Sequence, residues 1–308
     1  MKKYILPENT NRYKANLSAY SLHSDGSLTP LELKEAYLSK GYSVLAVSDC
    51  EYLDDYTALC DDNFTLLTAY NANISNYSLT LYSKTQNNNK ISLPQNSTKK
   101  AVNEFIENAT KNGYLVSINH PAKSMQTFSD YDGFSGYFAL EVANFSSLVE
   151  GYLEDNNHIY DRVLRNSKTP IFPIACDGNK NEFAFYDSKN DSFGAFTVIY
   201  AKNLNYSDII SALENGDFYS STGPEFKEIY IEDNKIHISC SPVTSIRLLN
   251  EGRDAPVVIA KKGETISEAV FELDQTFMGR FIRVDIRDNE GNFADTVPYY
   301  FESEGENK

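Results

Sequence analysis

Long apolar runs are missing from this sequence: no stretch approaches the roughly 18 residues that a membrane-spanning helix needs. The opening MKKYILPENTNRYK carries paired lysines but no apolar core behind them, so it does not read as a secretion signal. Basic residues are scarce too, with 28 Lys and Arg against 43 Asp and Glu and a formal charge of -15. That balance excludes a broad grip on a phosphate backbone, and no nucleic-acid or membrane partner is expected. Tryptophan is absent, and the 22 Tyr and 18 Phe read as packing residues. Cys50, Cys60, Cys176 and Cys240 form no C-x-x-C pair and read as free thiols of a reducing compartment. The expected location is cytoplasmic. The chain also lacks G-x-S-x-G, G-x-x-x-x-G-K, H-E-x-x-H and zinc-finger spacings, which leaves those catalytic plans without support.

What is present suits an ordinary globular protein, 41% hydrophobic and 23% charged over 308 residues, with room for one large domain and a small one. Thr29-Pro30-Leu31-Glu32 is a capping box with proline at the first helical position, and Gly41 supplies the stop. Residues 42–47 read as a buried parallel strand ending in Ser48-Asp49-Cys50. A strand is expected over 64–67, then 70–75 and 78–83, followed by an Asn-rich loop over 84–96. Ser97 or Thr98 caps a helix on Ala101, Val102, Phe105, Ile106 and Ala109, closed by Gly113. Strands follow at 114–118, 138–142, 170–175 and 195–200, with helices near 160–165 and over 207–215. Polar residues recur at the carboxyl ends of these strands, where α/β barrels place their chemistry.

From about Glu225 the period changes to two. Ile229 and Ile231, then Ile236, Ile238 and Cys240, then Ile246 and Leu248, then Ile282, Val284 and Ile286 alternate with mostly polar neighbours. Turn signals fall at Asp233-Asn234, Glu251-Gly252 and Glu290-Gly291. A small antiparallel β-sandwich is expected over 225–308 behind an α/β domain over 1–224, with a frayed tail at 303–308.

Residues 16–26, NLSAYSLHSDG, resemble the first signature of the polymerase-and-histidinol-phosphatase (PHP) family of metal-dependent phosphoesterases, N-L-H-x-H-T-x-x-S-D-G. Asn16, Leu17, Ser24, Asp25 and Gly26 keep the frame, while Ser18 and Tyr20 replace its histidines. Further segments match in order. Leu45 to Cys50 resembles the second signature with Cys50 at its histidine, and LLTAYN resembles the strand that ends in a ligating glutamate, here Asn71. Asn119-His120-Pro121 keeps the H-P signature, and Glu141-Val142-Ala143-Asn144 matches a structural E-V-x-N segment. Asp177-Gly178-Asn179 resembles the closing D-x-H with Asn179 at its histidine. Residues 216–224, GDFYSSTGP, resemble the run that leads in some members to an appended β domain.

The resemblance implies a distorted PHP-type (β/α)7-like barrel over about 14–224. Of the implied ligand positions Asp25, His120 and Asp177 remain, while Ser18, Tyr20, Cys50, Asn71 and Asn179 stand where the others belong. A catalytic ion needs about three protein ligands and an open position to bring a bound water towards a pKa of about 7. The retained residues do not suffice for two ions. The expectation is therefore a degenerate member: no cofactor, and a polar pocket open to a small phosphorylated ligand. The rival is a phosphoesterase with one remodelled divalent site (Zn, Mn or Fe) on His120 and Asp177 with Asp25 or Cys50, assisted by Tyr20 or His23. A third reading makes the chain one half of a complex, lending its sandwich to an unnamed partner. His23 reads as a pocket-rim histidine, His158 and His237 as surface or strand residues, and Asp54-Asp55 and Asp61-Asp62 as solvated loops.

Overall fold

The computed structural model describes residues 2–8, 10–252, 255–273 and 279–301. The chain forms two compact units, Asn9–Thr222 and a second that joins Met1–Glu8 to Gly223–Lys308.

In chain order the elements begin with β1 (Lys3–Tyr4), β2 (Asn11–Ala19), α1 (Pro30–Ser39), β3 (Val44–Val47), β4 (Thr65–Ile74) and β5 (Tyr77–Ser83). Then come α2 (Lys99–Lys111), β6 (Tyr114–Ile118), α3 (Phe128–Tyr131), β7 (Ala139–Asn144), α4 (Phe145–Val149) and α5 (Asn157–Asn166). β8 (Phe172–Cys176), β9 (Phe196–Ala201), α6 (Tyr206–Asn215) and β10 (Phe218–Ser221) complete the larger unit. It is a mixed α/β unit with strand order β10-β9-β2-β3-β4-β5-β6-β7-β8.

The pairings β2–β3, β3–β4, β6–β7 and β7–β8 are parallel, and β5 runs against both β4 and β6. Strands β2, β3, β4, β6, β7 and β8 therefore all point the same way, and their carboxyl ends share one edge. An isolated parallel bridge joins Ala19, the last residue of β2, to Asn179, just beyond the end of β8.

The helices form where their caps are written. Thr29 and Glu32 close a reciprocal capping box ahead of α1, Thr98 accepts from Ala101 N at the start of α2, and Asn205 accepts from Asp208 N at the start of α6. Gly216 ends α6 at φ +77°, a conformation that glycine adopts without steric cost. Strands β3 and β6 are buried at every residue, as strands covered on both faces must be. The two strands expected over 64–67 and 70–75 are one, β4, because Thr68 and Ala69 are as buried as their neighbours and nothing breaks the ladder.

The smaller unit contains β11 (Phe226–Glu232), β12 (Lys235–Val243), β13 (Ser245–Asn250), β14 (Val257–Ile259), β15 (Ile266–Glu272), β16 (Phe281–Arg287), β17 (Phe293–Thr296) and β18 (Tyr299–Tyr300). Here β1, β11, β12 and β15 are neighbours in that order, and β16 pairs with β13, β17 and β18, all antiparallel. Asp233 and Asn234, both at positive φ, form the two-residue turn between β11 and β12 that a tight hairpin requires. Ile229, Ile236, Ile238, Cys240, Ile246 and Leu248 are buried, in line with the period-two pattern, whereas Ile231 is half-buried and β16 is buried at every residue from Phe281 to Ile286. The N-terminal strand β1 lies on this unit, with Lys3 opposite Ile231 and Tyr4 opposite Tyr230. The tail at 303–308 lies outside the described residues. No helix among the described residues is long and apolar enough to cross a membrane.

Candidate functional site

The shared strand edge carries a cavity of about 190 Å³ lined by residues that follow β2, β3, β6, β7 and β8, together with Asn73 and Ser78 of β4 and β5. Ser18, Tyr20, Asp25, Cys50 and His120 line it, beside Lys123, Ser146 and Lys180. Asn71, Asp177 and Asn179 lie behind this lining in the buried core. The hydrogen bonds of each explain that division.

Asp177 is fully buried and both its oxygens are occupied. Oδ1 accepts from the backbone N–H of Gly194 and Ala195 at 2.9 Å, and Oδ2 from Phe193 N at 2.8 Å and the Tyr37 hydroxyl at 2.5 Å. Burial pushes its pKa up to about 6 against the pull of those four donors, first among them Tyr37. Asn16 completes the cluster: its Nδ2 donates to Tyr37 Oη at 2.9 Å and to Asn179 Oδ1 at 3.0 Å, and its Oδ1 accepts from Asp177 N at 3.0 Å. Tyr37 has one hydroxyl proton for Asp177 at 2.5 Å and Asn179 at 2.9 Å, and the carboxylate is the stronger acceptor. Asn179 Nδ2 is buried without a partner among the described residues.

Asn71, at the glutamate's position, is occupied in the same way. Its Nδ2 donates to Tyr20 Oη at 3.0 Å and its Oδ1 accepts from Ser78 Oγ at 3.2 Å. Ser18 meets Ser48, with 3.3 Å between their hydroxyl oxygens. Tyr20 is 9% exposed, and burial, with Cys50 and Glu141 adding to it, holds its phenol well above the usual range and so neutral. Cys50 approaches Asp25 at 3.9 Å, and burial and that carboxylate push the thiol up to about 11. It is a thiol at neutral pH, and the thiolate is the form that binds metal. Asp49, next to it, is tied to the following loop by Ser21 N at 2.7 Å, Ser21 Oγ at 2.6 Å and Ser24 Oγ at 2.5 Å.

His120 sits at φ +30° with its N–H on Glu141 Oε2 at 2.6 Å and its Nδ1 3.1 Å from Ser124 Oγ. Desolvation and the neighbouring Lys123 lower its pKa to about 4, so the imidazole is neutral. Glu141 is the residue whose importance the sequence understates. It was legible as an acidic residue inside the otherwise apolar ALEVAN. Buried on β7, it holds the His120 backbone and accepts from Asn144 Nδ2, while Glu154 accepts from Lys123 N at 2.9 Å. Burial and then Glu154 raise Glu141 to about 8.

These values set a pH response. Glu141 holds its proton in the folded state up to about pH 8, whereas an unfolded glutamate releases it near 4.3. Stability therefore falls as pH rises through that window. Asp177 acts in the same sense between about 4 and 6, and His120, depressed to about 4, acts oppositely up to about 6.5. From about pH 6.5 to 8 only Glu141 remains of these three. Urea denaturation is expected to show declining stability over that interval in the native protein and a clearly shallower decline in Glu141→Gln, where the raised thiols such as Cys50 still contribute towards pH 8. An equal decline in both proteins would refute the assignment.

The residues do not fit the metal cluster that the fold implies. The oxygens of Asp177 are taken by four donors, Asn71 is a neutral amide tied to Tyr20 and Ser78, Cys50 and Tyr20 are protonated, and the unpaired buried atom at these positions, Asn179 Nδ2, is an N–H donor that repels a cation. Among the described residues no group of three or more His, Cys, Asp and Glu is placed to hold an ion. Of the other sequence candidates, His23 stacks on Tyr52 at 4.5 Å, His237 stacks on Tyr230 at 4.6 Å, and Asp61 pairs with Lys34. The four cysteines are free.

Fold and site together define a two-unit mixed α/β protein of PHP-like fold with a polar, hydrogen-bonded pocket at the carboxyl ends of its strands. It is similar to the crystal structure of a two-domain protein from Bacteroides vulgatus containing a predicted PHP-like metal-dependent phosphoesterase. The TM-score is 0.53 at 13% identity, covering 96% of this chain and 98% of that one. A structure from Bifidobacterium adolescentis, described as a predicted metal-dependent phosphoesterase, aligns at TM-score 0.40 and 11% identity over 53% of this chain and 86% of that one, too distant to carry an argument. No family model and no curated protein matches the sequence.

Proposed function

We propose that the larger unit is a distorted PHP-type barrel whose metal cluster has been replaced by a hydrogen-bonded core, and that it binds a small phosphorylated ligand without hydrolysing it. The boundary is drawn near Gly223-Pro224, and the strands beyond it are read as a small β-sandwich that serves packing or interaction. The observation that carries this reading is Asp177. A ligating aspartate needs a lone pair for the ion, and here four N–H and O–H donors take both oxygens. Without an ion to generate hydroxide near neutral pH, the attack on phosphorus loses its nucleophile.

The ligand reading rests on charge. Lys123 and Lys180 line the cavity as positive neighbours of the neutral His120, and because Lys123 pairs with Glu150 at 2.6 Å, Lys180 is the lining cation without an ion pair among the described residues. Hydrolysis of p-nitrophenyl phosphate with added manganese, zinc or iron is expected to stay at the buffer rate. Metal-dependent turnover that disappears in His120→Ala would instead establish the one-ion phosphoesterase.

A further inference from the structure

We infer that the ligand of this pocket is a phosphorylated sugar, a step that rests on the proposed phosphate-binding role and adds the chemistry of the rest of the molecule. The argument starts from the hydrogen-bonding capacity that the cavity leaves open. Asn119 and Asn144 line the cavity but are saturated by Ser78, Thr80 and Ser117 and by Glu141 and Ser147. By contrast, the Lys180 ammonium, the Ser146 hydroxyl and Nε2 of His120 take no hydrogen bond among the described residues. The Tyr20 hydroxyl accepts from Asn71 and keeps its own proton free. These groups, on the loops after β2, β6, β7 and β8, are donors or can act as donors, and together they suit an oxyanion.

The open acceptors are Asp25, on the loop after β2, and Asn73, on β4. Among the described residues the Asp25 carboxylate receives only the Cys50 thiol at 3.9 Å, and Asn73 uses its Nδ2 on that sulfur at 3.5 Å while its Oδ1 takes no hydrogen bond. A carboxylate repels a phosphate but accepts well from hydroxyls. The pocket therefore asks for a ligand with an anionic end and a hydroxyl-bearing end. His23, two residues before Asp25, and Tyr52, two residues after Cys50, stack with ring planes 17° apart, and both are exposed. An aromatic face beside hydroxyl acceptors matches the C–H face of a sugar ring. The size agrees, since a cavity of about 190 Å³ accommodates one substituted ring.

The test is calorimetric titration of the full chain, in the presence of a chelator, with inorganic phosphate, ethyl phosphate, glucose, glucose 6-phosphate and ribose 5-phosphate. At least one sugar phosphate is expected to bind roughly tenfold or more tightly than inorganic or ethyl phosphate. Asp25→Ala and Tyr52→Ala should each reduce that ratio by about tenfold, whereas Lys180→Met should weaken every phosphate probe. Ethyl phosphate binding as tightly as the sugar phosphates, or a ratio unmoved in both variants, would overturn the sugar while leaving the phosphate pocket standing. Glucose binding as tightly as its phosphate would overturn the inference from the other side. No binding by any phosphate probe would remove the underlying phosphate reading itself.

Discussion

Asp177→Ala is expected to destabilise the larger unit by about 4 kcal/mol, the scale seen when one side of a buried charged network is removed. The variant leaves the N–H groups of Phe193, Gly194 and Ala195 and the hydroxyl of Tyr37 without their acceptor in a site that water does not reach. Part of that cost is offset because a charge held at a raised pKa is also removed, which keeps the net effect below the sum of four lost bonds. Tyr37→Phe is the partial version. It takes one donor from Asp177 and one acceptor from Asn16. The double variant should cost less than the two single costs added, because both residues act in one network. Hydrogen exchange reports the effect locally: the amides of residues 193–195 should lose protection in Asp177→Ala. Were Asp177 a metal ligand with free oxygens, its removal from the metal-free protein would leave those amides protected.

Gly26→Ala is expected to cost about 3 kcal/mol or more, at the upper end of overpacking. A Cβ on Gly26 would stand 2.0 Å from the carbonyl oxygen and 2.4 Å from the carbonyl carbon of Tyr20, with Ser21 N at 2.8 Å. These are backbone atoms and cannot rotate away. The turn is further pinned by Gly26 N on Ser21 O at 3.0 Å and Leu22 N on Leu28 O at 2.9 Å. Opening it would displace both Tyr20 and Asp25 from the pocket wall. Gly133→Ala is the informative comparison, since Gly133 has φ +82° but open space around it. Its cost should be that of backbone strain alone, about 1 kcal/mol. Equal costs at the two positions in urea denaturation would contradict the close approach at Gly26.

Much of this arrangement was legible in one dimension, for identifiable reasons. The capping box of α1, the Thr98 cap of α2 and the glycines that follow both helices are local signals, and the structure uses them as written. The mixed α/β character followed from short buried runs alternating with helices. Strand β4 was divided in the sequence reading because a strand covered on both faces has no alternation to mark its continuity. Strand β1 has two residues and leaves no periodic trace. The short helices α3 and α4 likewise fall below the length at which a helical period can be read.

The site shows the same division. Ser18, Tyr20, Cys50 and His120 were singled out because they stand at ligand positions of the resembled motifs, and all four line one cavity. What could not be read was the partner of each side chain. Tyr37 reads as one more apolar residue of α1, yet its hydroxyl joins Asn16, Asp177 and Asn179 across residues more than a hundred positions apart. Lys180 and Ser146 belong to no motif and become notable only because their polar ends remain open on the cavity. Retained identity was equally uninformative at Asp177. The residue type survives, and its hydrogen bonds turn it from a candidate ligand into a clamp on the 193–195 backbone.

The most direct test of a pocket without its metal cluster is elemental analysis of the purified, untagged protein, before and after soaking with manganese, zinc and iron and then desalting. The account predicts no stoichiometric metal in either sample, because Asp177, Asn71 and Asn179 are committed to the core and Cys50 remains a thiol. One or more equivalents retained through desalting, and lost in His120→Ala, would contradict it and restore the chain to the metal-dependent phosphoesterases.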